Sequence, residues 1–409
     1  MSGARAALGA GLAAAGLIAA GSAVAGLDAL DVQIGKALFD RAWVVAPAST
    51  KADDGLGPLF DARACASCHP RDGRGSIHVE ADGTLEGRGA VLALGRPDGS
   101  GDPVYGRRLQ IDAVQGLTPE GVLAVEERVL PDGRKARVAA PRHLAYGPLD
   151  PATGLSLRAA PDLRGRGLLE EVPEAALAAI AAAQPEAVRG RLRHVTLPDG
   201  TKALGRYGWK ASQPSLEAQS SEAFFLDMGL STPLHPEPWG DCTAAQEACR
   251  AAPHGIEAEG QVEIAQSLLV RVVAYVASLP VPQPEGSANR KGAAVFAAAG
   301  CAQCHQPALP TASGGTARLF TDLLLHDLGP GLADTLSEPG VAAGEWRTAP
   351  LAGISDALKR KTGLLHDGRA QSVAEAVGWH GGQADGARRA FQALNAADRA
   401  ALVAYVSSL

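Results

Sequence analysis

Two stretches of the chain repeat the same pattern of apolar and polar positions. Near the carboxyl terminus, apolar side chains recur at helical spacing after Asp398, which predicts a helix over residues 395–409. The last eight residues of that helix, LVAYVSSL, have a near-identical copy, VVAYVASL, at 272–279. A Pro-rich segment that cannot continue a helix follows this copy. Repeated helices of this kind predict two related units.

The segments at the start of each unit repeat as well. GKALF at 35–39 and GAAVF at 292–296 each precede a C-x-x-C-H motif. Each unit is therefore expected to run from a first helix, through C-x-x-C-H, to a closing helix. We place the units at 26–280 and 285–409, with a linker over 281–284.

An insert over residues 76–215 enlarges the first unit and follows a different pattern. Two stretches of the insert look like pairs of β-strands, and Pro-Asp-Gly interrupts each of them, at 131–133 and at 198–200. This tripeptide supplies the geometry of a turn. We therefore expect one short β-hairpin over 122–138 and another over 191–207. An Ala-rich helix is predicted over 174–184.

The first 25 residues have the pattern of a secretory signal peptide. Arg5 is their only charged residue, an apolar stretch runs from 6 to 21, and Ala-Val-Ala at 23–25 resembles a cleavage site. This predicts removal of residues 1–25 and export to the periplasm. A retained membrane anchor is the alternative, but the apolar core is short for a span.

Composition and charge narrow the function classes. The 409 residues are 46% hydrophobic with a net charge of -6, which supports packed cores and does not suggest nucleic acid as a partner. No later segment is long and apolar enough to cross a bilayer, so we do not expect an integral membrane protein. Export would place the six cysteines in an oxidising compartment, where Cys242 and Cys249 are expected to form a local disulfide.

The other four cysteines form two identical motifs, Cys65-Ala-Ser-Cys68-His69 and Cys301-Ala-Gln-Cys304-His305. C-x-x-C-H is the attachment signature of c-type haem, because two thiols on one helical turn can both reach the vinyl groups of one porphyrin. The following His69 or His305 then supplies the proximal imidazole to iron. Zinc would need a Cys/His tetrad, and thiol exchange needs no trailing His, so these alternatives are less favoured. We expect two covalent c-type haems.

The order of elements looks like that of cytochrome c domains, which pack their first and last helices across each other beside the haem. We therefore predict a mainly α fold of two cytochrome c-like helical domains. The first would be enlarged by an irregular insert with short β-hairpins.

Further motifs resemble those of the di-haem oxidoreductase family, which includes relatives of bacterial di-haem cytochrome c peroxidases. They span nearly the whole chain after residue 25 and include PDLRGRGLLE at 161–170, RYGWK at 206–210, TDLLLHDLG at 321–329, RTAPL at 347–351 and LLHDGR at 364–369. The resemblance implies a peroxidase-like redox enzyme in which electrons pass between two haems. It also implies a bound calcium ion, which is typical of the related peroxidases. Those peroxidases carry a Met ligand where this chain has Leu365.

The group on the far side of each iron decides whether a haem reacts or only transfers electrons. Met228 is one candidate for a sixth ligand, although a single Met is often core filler. His366 and His380, on either side of a helix predicted over 372–379, are others, and each could instead be a hydrogen-bonded structural residue. Glu170 and His380 are candidates for the acid–base group of a peroxide-splitting enzyme, although a solvated helix-start residue would also explain Glu170. Further ligand candidates are His326, His78 and His143.

Three functions fit these patterns. We favour a redox enzyme of peroxidase-like type, because a pure electron carrier needs no long insert. The alternatives are an electron-transfer cytochrome without substrate chemistry and an accessory protein that serves another exported protein. The expected partner is an exported electron-donor protein or a small redox substrate.

Overall fold

A computed structural model describes residues 26–130, 133–258, 260–286, 289–336 and 338–409. The predicted signal peptide over 1–25 lies outside these ranges, as do Pro131 and Asp132 of the first predicted turn. Within the described ranges, no helix combines the length and apolar character that crossing a membrane requires.

The prediction of a mainly α fold is wrong, because only 31% of the structure is helical and 18% is strand. The helices are α1 (Ala29–Asp40), α2 (Cys65–Cys68), α3 (Leu168–Glu171), α4 (Glu174–Ala183), α5 (Leu216–Met228), α6 (Glu247–Arg250), α7 (Gln266–Ser278), α8 (Arg290–Ala298), α9 (Ile354–Arg360), α10 (Val373–Trp379), α11 (Asp385–Ala393) and α12 (Ala396–Ser407). Long irregular connections, which the abundant Gly and Pro favour, separate these helices.

The strands form two-stranded sheets throughout the described residues. They are β1 (Val44–Val45), β2 (Asp54–Leu56), β3 (Leu59–Phe60), β4 (His78–Val79), β5 (Leu85–Glu86), β6 (Ala90–Gly95), β7 (Asp112–Ala113), β8 (Val125–Val129), β9 (Lys135–Ala139), β10 (Gly154–Ala159), β11 (His194–Thr196), β12 (Lys202–Leu204), β13 (Leu309–Pro310), β14 (Thr316–Ala317), β15 (Leu325–Asp327) and β16 (Glu345–Arg347). Pairs this small do not build a common sheet, so packing between elements must hold the fold together.

Both predicted hairpins are confirmed. β8 pairs antiparallel with β9, with Val129 opposite Lys135, and β11 pairs antiparallel with β12, with Thr196 opposite Lys202. The predicted helix over 174–184 is α4, and the helix over 395–409 is α12. A longer antiparallel pair, β6 with β10, joins distant parts of the insert.

The repeated segments form equivalent helix pairs. α1 packs against α7, and α8 packs against α12. A Cβ atom on Gly35 would overlap the carbonyl oxygen of Arg271, and one on Gly292 would overlap that of Ala401. The glycine at the start of each unit therefore permits the close approach of its first and last helices.

The insert packs against the second unit. Leu155 N donates to Thr335 Oγ1 (2.8 Å), and the backbones of Arg191 and Leu325 bond to each other. The largest apolar core also continues from the first unit into the second, where it includes Leu319 and Leu324. The domain boundaries at 280 and 285 stay a prediction, because the packing is continuous across them.

A disulfide joins Cys242, in the segment between α5 and α6, to Cys249 of α6, with Cα atoms 6.2 Å apart. Both cysteines are buried and pack beside Leu59 of β3. The disulfide therefore closes a short loop of the first unit, and apolar packing on Leu59 holds this loop against β3.

Candidate functional site

The histidines of the two C-x-x-C-H motifs share one hydrogen-bonding arrangement. α2 carries the first cysteine pair, and a 3₁₀ turn over Cys301–Gln303 begins the second motif. His69 Nδ1 donates to Pro161 O (2.8 Å), and His305 Nδ1 donates to Phe320 O (3.1 Å). Because a carbonyl can only accept, each Nε2 keeps a lone pair that could bind a metal.

Burial keeps both imidazoles neutral. It lowers the pKa of His69, and burial together with nearby His380 lowers the pKa of His305 to about 4. A neutral imidazole is the form that ligates a metal ion. The two histidines that the motif predicts as iron ligands therefore have the required protonation state at neutral pH.

A cavity of about 230 Å³ lies beside the second motif. Its lining includes Cys301, Cys304, His305, His326, His366, His380, Trp209, Trp346, Arg74, Arg166 and Arg347. Apolar side chains from α8, α9, α10 and α12 form much of the remaining wall. The cavity brings together two residues that the sequence predicted as sixth ligands, His366 and His380.

Three buried guanidinium groups line this cavity without an ion pair among the described residues, although the carboxylate of Asp162 also belongs to the lining and acts on Arg74 and Arg166 from a distance. Burial lowers the pKa of Arg74 and of Arg347 to about 10, and it also lowers that of Arg166. Arg74 Nε and Arg166 Nη1 have no hydrogen-bond partner within the described part of the chain. Buried charged donors of this kind need an anionic group. The two propionate carboxylates of a haem fit that requirement, and the neutral His305 fits its iron.

His380 and His366 both line the cavity, and they form hydrogen bonds through different ring nitrogens. His380 Nδ1 donates to Ala376 O (2.8 Å) at the end of α10, so its Nε2 keeps a lone pair. His366 Nε2 lies 3.3 Å from Asp334 Oδ1. Burial lowers the pKa of His380, which keeps its imidazole neutral and able to accept a proton.

An aromatic stack fixes the ring of His366. Trp346 lies parallel to it, with ring centres 3.8 Å apart, and Trp209 meets it edge-on at 6.4 Å. The ammonium of Lys210 lies 3.9 Å from the ring centre of Trp346 and donates to three backbone carbonyls. Trp209 Nε1 donates to Ala159 O (2.9 Å). Interactions on this many sides leave the ring of His366 little freedom to reorient.

Two residues predicted from the sequence do not line this cavity. Met228 is buried in the main apolar core, near Trp43 and Phe224. Glu170 Oε1 accepts hydrogen bonds from Leu216 N (2.5 Å) at the start of α5 and from the hydroxyl of Tyr207. The roles of Met228 and Glu170 stay predictions.

The first motif lies beside buried acidic groups. Burial, followed by the charge of Asp227, raises the pKa of Cys65 to about 12 and raises that of Cys68 as well. Arg108 pairs with Asp227, while Asp61 Oδ2 is buried without a hydrogen-bond partner in the described chain. Burial raises the pKa of Asp61 to about 8, so this carboxyl is mainly protonated at pH 7.

Several residues in or beside the cavity were not predicted as site residues from the sequence. Arg166, Asp322 and Arg347 lie inside motifs that carried the family resemblance, so the motifs were the available signal. Their roles depend on which side chains meet in space. In the described ranges, Cys304, Asp322 and His326 are the one group placed close enough together to bind a metal ion. A sulfur, a nitrogen and a carboxylate do not form the all-oxygen set that calcium takes.

The chain is similar to a protein family and to a solved structure. Residues 3–85 and 152–409 match the family described as "Di-haem oxidoreductase, putative peroxidase". The unmatched residues contain β6, β7, β8 and β9 of the insert. No curated protein matches the chain. A solved structure of hydrazine synthase from Kuenenia stuttgartiensis, pressurised with xenon, is similar at 14% identity and a TM-score of 0.41, with 100% of this chain and 98% of that chain covered.

Proposed function

The chain belongs to the di-haem oxidoreductase family, and on that premise we propose that it is a periplasmic c-type cytochrome that acts as a peroxidase-like redox enzyme. Cys65 and Cys68 attach one haem covalently, and Cys301 and Cys304 attach the other. His69 and His305 are the proximal iron ligands. When bound, the haems supply one-electron redox chemistry.

The observation that carries this proposal is the cavity beside His305. Among the described residues, its buried guanidinium groups have no carboxylate at ion-pair distance, and the neutral imidazoles of His305 and His380 both line it. Phe320 O holds the ring of His305 through Nδ1, so Nε2 keeps its lone pair. Arg74, Arg166 and Arg347 would hold the propionate carboxylates of a haem, and the apolar wall would contact its ring.

His380 is the acid–base group that this geometry favours. Its Nε2 has a free lone pair, and burial keeps the ring neutral. It could therefore accept a proton from hydrogen peroxide held in the cavity and return that proton to the leaving oxygen atom. Glu170, the other predicted group, does not line this cavity.

Trp209 connects the surroundings of the two motifs. Its ring lines the cavity of the second motif, and its Nε1 donates to Ala159 O. Ala159 lies two residues before Pro161, whose carbonyl holds His69. This placement supports electron transfer between the two sites.

Optical and EPR spectra of the purified protein, oxidised and half-reduced, test the proposal. We expect two haems, one of which is high-spin and shifts when hydrogen peroxide is added. Replacing both Cys301 and Cys304 by Ser should abolish the response, whereas the same change at Cys65 and Cys68 should remove the other haem. Two low-spin haems whose spectra do not change when peroxide or cyanide is added would instead favour the electron-transfer cytochrome.

Cell fractionation tests the proposed location. The haem-containing protein should appear in the periplasmic fraction, with Gly26 as its first residue. A chain that stays in the membrane fraction and retains residues 1–25 would contradict cleavage of the signal peptide.

A further inference from the structure

Arg134, which comes directly before β9 in the insert, contacts the end of helix α10 in the second unit. Its Nη1 donates to Gly378 O (3.2 Å), and its guanidinium carbon lies 4.8 Å from the centre of the Trp379 ring. Carbonyls in the last turn of a helix lack partners inside the helix, so a guanidinium that binds one of them stabilises that turn. The contact with the ring is a cation–π interaction. The next residue along the chain is His380.

A glycine of the second unit leaves the space in which this guanidinium lies. A Cβ atom on Gly331 would lie only 2.5 Å from Arg134 Nη2, closer than nonbonded atoms approach. Gly331 O accepts a hydrogen bond from Arg369 Nη1 (2.9 Å). Gly331 therefore makes room for one guanidinium and binds another through its backbone.

Arg369 extends the contact to the segment that carries the other cavity histidine. Its guanidinium carbon lies 5.0 Å from the centre of the Trp379 ring, and its Nε donates to Asp367 Oδ2 (2.6 Å). Its Nη2 donates to Arg137 O of β9 (3.3 Å). Asp367 directly follows His366 in the chain. The insert therefore contacts both segments of the second unit that hold a cavity histidine.

The orientation of His380 depends on the geometry at the end of α10. Its backbone N donates to Val377 O (3.1 Å), and its Nδ1 donates to Ala376 O (2.8 Å). Both acceptors belong to the last turn of α10, so a change in that turn moves the imidazole. Both also line the cavity, whereas the described residues of the hairpin of β8 and β9 do not. Arg134 can therefore act on the cavity only through the residues that it holds.

We propose that Arg134 is a positioning residue, which fixes the end of α10 and thereby the orientation of His380 in the cavity. The inference rests on the proposed function, in which His380 moves a proton of hydrogen peroxide. Arg134 lies outside the residues that match the family, 3–85 and 152–409. The insert thus supplies a residue for the reaction beside the second motif.

The first readout is the EPR spectrum of the haem-loaded, oxidised full chain. His380→Gln identifies the signals that depend on this histidine. Arg134→Ala should broaden or split those signals, because an imidazole on a loosened helix end adopts more than one orientation, and it should leave the signals of the other haem unchanged. Gly331→Ala should have the same effect. Its methyl group displaces only the flexible end of Arg134, so it should cost little stability.

The second readout is the rate of the spectral change when hydrogen peroxide is added. Arg134→Ala should lower the limiting rate several-fold and leave the peroxide concentration at half that rate nearly unchanged, because proton transfer and not binding is impaired. In a His380→Gln background, Arg134→Ala should have no further effect. Lys135→Ala is the matched control, because Lys135 forms an exposed ion pair with Glu127 inside the hairpin. It should behave like the unsubstituted protein.

Two results would overturn the inference. One is unchanged EPR signals and rates in both Arg134→Ala and Gly331→Ala. The other is a loss of rate in Arg134→Ala that persists in full in the His380→Gln background, since Arg134 would then act independently of His380. An unsubstituted protein whose spectrum does not respond to peroxide would instead overturn the proposed function. The EPR comparison would still decide whether Arg134 orients His380.

Discussion

At the scale of single residues, His366 and His380 line one cavity but differ in the ring nitrogen that forms a hydrogen bond. Asp334 and the parallel ring of Trp346 hold His366, whereas His380 keeps a lone pair on Nε2. His380→Gln should therefore change the optical and EPR signals of one haem. His366→Gln, the matched control, should leave the spin states unchanged, because its ring has other partners. The opposite result would assign the iron-facing role to His366.

A second residue, Asp61, should make stability depend on pH. Burial raises its pKa from 3.8 to about 8, so the native state retains a proton that the unfolded chain releases. Stability therefore falls as the pH rises through this range, by about 1.4 kcal/mol per unit. Asp61→Asn removes this loss. It should raise the free energy of unfolding at pH 7 by about 1–4 kcal/mol and change it little at pH 4.

Urea unfolding of the haem-loaded protein at both pH values measures the effect of Asp61→Asn. Asn can keep the hydrogen bond from Ile111 N to Oδ1, since the oxygen that it replaces by nitrogen is the unpaired Oδ2. Glu126→Gln, at an exposed position of β8, is the control. It should change the free energy of unfolding by the same amount at both pH values. Equal gains at pH 4 and pH 7 would argue against a protonated Asp61.

At the scale of elements, the crossing of first and last helices depends on one glycine in each unit. A methyl group on Gly35 or Gly292 would overlap a carbonyl oxygen of the partner helix. Gly35→Ala and Gly292→Ala should each reduce the free energy of unfolding by about 1–3 kcal/mol, because packed backbones must separate. Thermal unfolding of the haem-loaded variants measures this cost.

The chain offers a matched control for those substitutions. Gly378 in α10 has open space where a Cβ would lie. Gly378→Ala should therefore stabilise the protein by up to about 1 kcal/mol, through helix propensity alone. If Gly35→Ala were equally harmless, the helix crossing would not set the packing of the first unit.

At the scale of the whole molecule, ion pairs join the insert to the second unit. Glu338 accepts from Arg158 (2.8 Å) and Arg193 (2.6 Å), both of the insert. Although burial opposes ionisation, these two guanidinium groups lower the pKa of Glu338 from 4.5 to about 2. The units therefore depend on each other's side chains.

Glu338→Gln should weaken this contact. A lowered carboxylate pKa contributes stability that is present above pH 4.5 and is lost as the pH falls toward 2. The variant should lose about 3 kcal/mol at pH 7, and its stability should depend less on pH between 4.5 and 2. Urea unfolding across that range measures both effects. Unchanged acid sensitivity would show that other groups control it.

The sequence alone determined the local features. Spacing predicted α4 and α12, Pro-Asp-Gly predicted both hairpins, and repeated segments predicted which helices begin and end each unit. These features depend on residues a few positions apart, so they can be predicted from the local sequence. The fold class was predicted wrongly because helices leave a clear periodic pattern in the sequence. Strands of only two or three residues in an irregular insert leave no such pattern.

The tertiary structure decided which residues meet. Gln184, Gly190, Asp322 and His326 come from the insert and the second unit, yet they meet beside Cys304. Buried Arg166 and Arg347 line the same cavity, while Glu170 instead accepts a hydrogen bond from Leu216 N at the start of α5. Burial and hydrogen bonding set the charge and orientation of each group, and both depend on contacts between residues distant in sequence. The C-x-x-C-H motifs predicted the two proximal histidines, but only tertiary packing could show which side chains surround each histidine.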